Sequence, residues 1–188
     1  SITVDPHKWG YVPYPCGAIL FKEKNDLNLL KYDVSYLKNV APTIEGSRPG
    51  ASAAACWIAF KTLGWKGYRQ LLNRCIDNAK YLVKRLQEEG YQLLHEVDLF
   101  TVNFRVVVEG KKHSKINMFN KRLVEEVNRR GNFKVGFLED LAGIRIVENG
   151  KKYPIQGIKT IFLMPLLTHG TIENFIDELK RTAKRLIT

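Results

Sequence analysis

The stretch Ser1-Ile2-Thr3-Val4-Asp5-Pro6-His7-Lys8-Trp9-Gly10 decides how the rest of this chain is read. Its first residues mix small polar and β-branched side chains in the manner of a strand entering a sheet. Pro6 has no amide proton to donate and closes the ladder just before Lys8. Lys8 therefore falls at a strand end, where open α/β sheets gather their ligand sites. His7, Trp9, Tyr11, Tyr14 and two further prolines frame it. A lysine on an ordinary loop is a solvated cation. A rigid apolar frame instead predicts a desolvated amine with a lowered pKa, the state a Schiff-base lysine needs to be nucleophilic near neutral pH.

Working outward, Gly17 to Phe21 (G-A-I-L-F) predicts a second short strand, so the local order is strand, reactive loop, strand. Lys22 to Asn25 reads as a polar turn and residues 27 to 45 as a loop. Gly46-Ser47-Arg48-Pro49-Gly50 is a dense turn signal before Ala51 to Leu63, an Ala-rich segment almost free of charge. Free backbone amides at such a turn, ahead of a helix dipole, suit an anion such as a phosphate. A helix apolar nearly all round is expected in a large core or at a subunit interface, and Gly64 is read as its end. From Tyr68 to Leu86 the apolar residues keep helical spacing until Gly90, which predicts a long amphipathic helix linking two domains.

Beyond it the pattern changes to short strands and two amphipathic helices. Phe100, Val102, Phe104, Val106 and Val108 alternate with Thr101, Asn103 and Arg105 and predict a half-buried strand. Phe119, Leu123, Val124 and Val127 predict a helix with one buried stripe. Gly143 to Val147 and Lys151 to Ile155 flank Asn149-Gly150, a hairpin signal. Lys159 to Met164 predicts a strand, and Ile172, Phe175, Ile176, Leu179, Ala183 and Leu186 a closing helix. The expected division is residues 1–67, a linking helix over 68–90, and a small α+β domain over 91–188.

At 188 residues and 45% hydrophobic, the chain can bury a core. The formal charge of +11 raises nucleic acid as a partner, but the excess is spread: ten Lys/Arg against five Asp/Glu in residues 1–75, and twenty against fourteen after them. No nucleic-acid partner is expected. No apolar run approaches the roughly 18 residues of a membrane span, so no membrane is expected either. Cys16, Cys56 and Cys75, an odd number in apolar contexts, read as reduced core residues of a cytoplasmic protein. His7, His95, His113 and His169 are too scattered for a metal site, and none is expected.

Asp5-Pro6-His7-Lys8-Trp9, followed by the pattern P-x-x-C-G-A-I-L-F-K over residues 13 to 22, resembles the group II pyridoxal-phosphate-dependent decarboxylases that act on tyrosine, aspartate, glutamate and aromatic amino acids. The resemblance implies an α/β fold: the later part of a fold-type-I (aspartate aminotransferase-like) large domain, then a small α+β C-terminal domain. It implies pyridoxal 5′-phosphate as cofactor, carried on Lys8 as an imine, with His7 near the cofactor phosphate. Gly46-Ser47-Arg48-Pro49-Gly50, beginning 38 positions after Lys8, is similar to the family segment that lies by the phosphate of the partner subunit. Gly46 and Ser47 are thus expected cofactor contacts in a homodimer whose active site lies at the subunit interface. Asp33-Val34-Ser35-Tyr36-Leu37-Lys38 resembles the family's mobile catalytic loop, which implies that Tyr36 protonates the substrate carbon after carbon dioxide leaves.

The implied reaction is decarboxylation of an L-amino acid to its amine. Lys159 stands in the strand where many relatives carry an arginine, and the Asn149-Gly150 hairpin reads as an addition; both leave the substrate-carboxylate contact unassigned. The family's pyridine-nitrogen aspartate and ring-stacking residue precede its lysine, so a further N-terminal segment of the same enzyme is expected as a partner. Two other readings stand beside this one. The G-S-R-P-G run followed by Ala54-Ala55-Cys56-Trp57 also resembles the sphingosine phosphate lyases, which cleave a carbon–carbon bond to an aldehyde. The apolar Ala51 to Leu63 helix would equally suit a non-catalytic dimerisation module.

Overall fold

The computed structural model describes residues 1–30, 48–161 and 164–187. It divides into two units, Ser1–Gln70 and Leu71–Thr188.

In the first unit, β-branched Ile2, Thr3 and Val4 form β1 (Ile2–Val4), which pairs antiparallel with β2 (Ala18–Leu20) in the register Ile2↔Leu20, Thr3↔Ile19 and Val4↔Ala18. The ladder stops at Asp5-Pro6, as the missing proline donor requires. A 3₁₀ segment over Lys24–Leu30 replaces the expected polar turn and the start of the loop after it; the rest of that loop, including Tyr36, lies outside the described residues. Helix α1 (Ala51–Glu88) begins directly after Pro49-Gly50, with the Ala54 amide donating to the Gly50 carbonyl at 3.0 Å.

Two helices were expected here, one closed by Gly64. Gly64 does end the first: at φ 54° and ψ −174° it takes a non-helical conformation that costs a residue with a side chain dearly, and Ala51–Glu88 is two helices joined across a kink at this glycine. The apolar N-terminal half of α1 is not buried in this chain. Trp57, Ile58, Phe60 and Trp65 stand exposed, Trp65 at 81%.

The C-terminal part of α1 belongs to the second unit, where Cys75, Ala79, Leu82 and Leu86 are fully buried. The remaining elements follow as β3 (Gln92–Leu93), β4 (Thr101–Arg105), α2 (His113–Arg130), β5 (Gly136–Leu138), β6 (Arg145–Glu148), β7 (Lys151–Pro154), β8 (Gly157–Ile161) and α3 (His169–Ile187). An antiparallel sheet runs β3-β4-β8-β5. Val102, Phe104, Leu123, Ile158, Ile176 and Leu179 make its core with the helices. The last strand is described over Gly157–Ile161; Phe162 and Leu163 of the expected span lie outside the described residues, and Met164 is not in a strand.

The alternation expected of β4 is overturned. Asn103 and Arg105 are buried along with Val102 and Phe104. Arg105 can be buried because its guanidinium donates to Gln92 Oε1 at 2.7 Å and reaches His113 Nδ1 at 3.3 Å. Arginine has no acceptor, so His113 Nδ1 accepts while its Nε2 donates to the Pro154 carbonyl at 3.2 Å.

The Asn149-Gly150 hairpin forms as expected, closing β6 onto β7 with Glu148 opposite Lys151 and both turn residues at positive φ (51° and 75°). It reaches back to α2. Lys112 supplies no side-chain cap, and Glu148 takes that role from 35 residues away, accepting from the His113 amide at 2.7 Å and from the Ser114 hydroxyl at 3.1 Å. Desolvation opposes ionisation of this carboxylate, but the donors of His113 and Ser114 outweigh it and hold its pKa below the usual carboxylate value.

Candidate functional site

Lys8 lies in the tight connection between β1 and β2, where the chain leaves the ladder and must return within a dozen residues. Backbone bonds fold this connection on itself: the Lys8 amide donates to Asp5 O at 2.9 Å, Tyr11 to Lys8 O at 3.2 Å, and Val12 to Pro6 O at 3.2 Å. Val12 is buried, while Tyr11 sits at φ 54°, unusual for an aromatic residue and an instance of backbone strain beside the lysine. Gly10 is required by close approach, since a Cβ there would lie 2.5 Å from the Pro6 carbonyl oxygen and 2.8 Å from its Cα. Gly10 also accepts the Tyr68 hydroxyl of α1 at 2.8 Å. Burial is the main reason the Tyr68 phenol is pushed up, so it stays a donor across the neutral range.

His7 is fixed on both sides. Its amide donates to Cys16 O at 3.2 Å, its Nδ1 bonds the same carbonyl, and Tyr14 meets its ring edge-on at 4.3 Å between centroids. A carbonyl only accepts, so Nδ1 carries the proton in this arrangement.

The amine of Lys8 is not desolvated as the aromatic frame suggested. Its side chain is 61% exposed and its Nζ pairs with Asp5 Oδ2 at 2.6 Å. The hydrogen bond that Lys8 donates to Asp5, then the charge of Asp5, pushes the Lys8 pKa up, and the same bond pulls Asp5 down. Tyr14, one of the framing rings, is itself 78% exposed and packs edge-on against His7, so it does not bury the amine. Asp5, three residues upstream in the same motif, was missed as a partner of the lysine. Its i, i+3 spacing across a turn was the available signal.

Of the other expected site residues, Tyr36, Gly46 and Ser47 lie outside the described residues. Arg48, Pro49 and Gly50 are exposed at the entry to α1. Among the described residues, the second unit holds an apolar groove beside Phe133 and Phe175 and a more polar cleft beside Lys80 and His95, and no residue of the lysine turn lines either. An exposed primary amine at a strand end, on a turn braced against a helix, fits a carbonyl compound. The described residues supply that amine and the groups that hold it.

Residues 1–107 match the family model described as the pyridoxal-dependent decarboxylase conserved domain. The chain is 40% identical over 178 residues to an L-tyrosine/L-aspartate decarboxylase of Methanocaldococcus jannaschii, covering 94% of this chain and 38% of that protein. It is 33% identical over 190 residues to an L-aspartate decarboxylase of Thermococcus kodakarensis, covering 99% and 42% respectively. The chain thus spans about two fifths of the length of these curated relatives. Among solved structures, mouse CSAD in its apo form superposes with a TM-score of 0.77 at 19% identity, over 96% of this chain and 39% of that one. The glutamate decarboxylase domain of a Vibrio parahaemolyticus protein superposes with a TM-score of 0.69 at 21% identity, over 97% and 34%. These likenesses agree with the expected α/β, fold-type-I architecture. The match across the lysine turn and α1 carries the conclusion that this chain belongs to the pyridoxal-dependent decarboxylase family.

Proposed function

We propose that Lys8 is the attachment point for pyridoxal 5′-phosphate in an enzyme that removes the α-carboxylate of an L-amino acid as carbon dioxide and releases the amine. The observation that carries this reading is the Lys8 amine itself, exposed at the end of β1 on a turn held by Val12, Cys16 and Tyr68, within the stretch that matches the family. The cofactor, when bound, supplies an electron sink for the electrons of the breaking bond.

The chain's own residues prepare that chemistry. Asp5 holds Lys8 as an ammonium, so the ion pair must open and Nζ lose a proton before the nitrogen can attack a carbonyl carbon. The clamped His7 ring is the turn's contact for the cofactor phosphate, with Gly46 and Ser47 contributing from a second copy of the chain. Tyr36 delivers the proton to the substrate Cα once carbon dioxide has left.

The remaining pocket walls are supplied by enzyme sequence beyond this chain, in line with the greater length of the relatives. A homodimer is supported by the exposed Trp57, Ile58 and Phe60 on α1. We assign residues 1–67 to the cofactor-binding large domain, 68–90 to a link and 91–188 to a small domain. An odd number of cysteines, Cys16, Cys56 and Cys75, without C-x-x-C spacing supports a reducing compartment, the cytoplasm. The relatives' names make L-aspartate and L-tyrosine the first substrates to assay.

The test uses full-length enzyme reconstituted with pyridoxal phosphate. Borohydride reduction should leave the cofactor on Lys8, and carbon dioxide should be released from one of the two amino acids. Lys8→Ala should lose both. An adduct on another lysine would overturn the assignment of Lys8, and aldehyde production without carbon dioxide would overturn decarboxylation.

A further inference from the structure

The Lys8 turn has little packing of its own. Among residues 6–16 only Pro6 and Val12 are buried in this chain, and Cys16, like Cys56 on α1, is half-buried rather than the core residue its apolar context suggested. Hydrogen bonds must therefore set the shape of the turn, and one peptide unit carries two of them. The Tyr11 amide donates to Lys8 O at 3.2 Å, and the carbonyl of the same unit, Gly10 O, accepts from the Tyr68 hydroxyl at 2.8 Å. The groups form one chain, from hydroxyl to carbonyl, across the peptide, and from amide to the main chain of Lys8. Bonds linked in this way polarise and strengthen one another.

The same peptide unit adjoins the strained residue of the turn. Tyr11 sits at φ 54°, a conformation that persists in a residue with a side chain only where its surroundings hold it. Turning the Gly10–Tyr11 peptide over to relieve that strain would take Gly10 O away from Tyr68 and the Tyr11 amide away from Lys8 O together. Tyr68 is itself braced. Residues eight apart on an unbroken helix lie about 12 Å apart along its axis, yet across the kink at Gly64 the rings of Phe60 and Tyr68 meet edge-on at 5.5 Å between centroids. Burial keeps the phenol protonated, so it donates to the carbonyl throughout the neutral range.

We infer that Tyr68 is a positioning residue for Lys8, acting through the Gly10–Tyr11 peptide that its hydroxyl holds. The inference rests on the reading of Lys8 as the cofactor lysine and adds what orients it. Asp5 governs the proton on Nζ, whereas Tyr68 governs the direction in which the main chain presents that side chain. Losing the hydroxyl should therefore slow attachment of a carbonyl compound without moving its pH dependence.

The experiment compares full-length parent enzyme with Tyr68→Phe and with a variant carrying 3-fluorotyrosine at position 68, which keeps the shape and is a stronger donor. In the apoprotein, hydrogen exchange of the Tyr11 amide should rise roughly fivefold in Tyr68→Phe, while amides of β4 and α2 keep their parental rates. Borohydride-trapped attachment of pyridoxal phosphate to Lys8 should slow by a similar factor with its pH midpoint unchanged, and kcat should fall while KM for the amino acid holds. The fluorinated variant should restore parental attachment at neutral pH. Parental attachment in Tyr68→Phe, exchange raised evenly along the chain, or a fluorinated variant that behaves like Tyr68→Phe would each overturn the inference. Cofactor trapped on a different lysine in the parent would instead overturn the reading of Lys8, and the Tyr11 exchange rate would still decide whether Tyr68 holds the peptide.

Discussion

Lys8 and Asp5 form an exposed ion pair at 2.6 Å, so the resting amine is more basic than an isolated lysine. Replacing Asp5 by Asn removes the charge and the strong acceptor that stabilise the ammonium, and the proton then leaves at lower pH. In full-length apoprotein, the pH profile for borohydride-trapped attachment of pyridoxal phosphate should move toward lower pH in Asp5→Asn, with attachment at neutral pH several-fold faster. A slower or unshifted profile would mean that Asp5 positions Lys8 without tuning it. Gly10 makes a second demand at this scale. An added Cβ meets backbone atoms of Pro6 rather than a movable side chain, so Gly10→Ala must displace the turn. We expect a loss of about 1–3 kcal/mol in stability, read by thermal denaturation, together with weaker cofactor retention; unchanged retention would show that the turn tolerates the shift. The lysine motif was legible because its residue types are rare in combination. Its electrostatics were not, because whether an aromatic ring covers an amine depends on rotamers the chain order does not reveal.

Among the elements, α2 owes its N-terminus to a hairpin. Glu148 accepts from His113 and Ser114, and its lowered pKa contributes stability above the ordinary carboxylate range that is lost as pH falls through the folded-state value. Glu148→Gln should therefore lower the melting temperature at neutral pH, and its gap to the parent should close below about pH 4; a constant gap across pH would assign the effect to shape. Asn120 does a comparable service at the end of β4. Fully buried, it accepts from the Val106 amide at 2.9 Å and donates to the Val106 and Ile116 carbonyls at 2.8 and 2.9 Å. Asn120→Leu keeps the bulk and strands both polar groups of Val106, which should cost about 2–3 kcal/mol in denaturant unfolding. Strands β4 and β8 and helices α2 and α3 were readable from periodicity, and the hairpin from Asn149-Gly150; β3 and β5, two and three residues long, are too short to show a period. The burial of Arg105 and Asn103 was not, because a polar side chain reads as solvent-facing until its distant partners are known. The Gly64 break was legible, because a glycine closing an apolar helical run marks where helical geometry is interrupted before the next amphipathic run begins.

For the whole molecule, the division at Gln70 leaves the apolar wealth of the first unit facing outward, with Trp57 at 63% and Trp65 at 81% exposure. In an enzyme of the relatives' length these indoles should be covered. Acrylamide should quench their fluorescence efficiently in the 188-residue chain and much less in full-length protein; equal quenching in both would mean that the α1 face is not an interface. Among the described residues, no helix is long and apolar enough to cross a membrane. The fold class was legible at this scale because the D-P-H-K-W and G-S-R-P-G segments resemble the family and so imply its fold, whereas the state of the α1 face was not, since an all-round apolar helix reads the same whether its cover is its own chain or another. The type of turn at Asn149-Gly150 has a practical use. Its two tip residues are exposed, while the attachments to α2 begin at Glu148 and Pro154 on either side. A short epitope or a fluorophore handle inserted between Asn149 and Gly150 would occupy an exposed loop tip beyond the bonds that hold the hairpin to α2, giving a place to label or immobilise the protein.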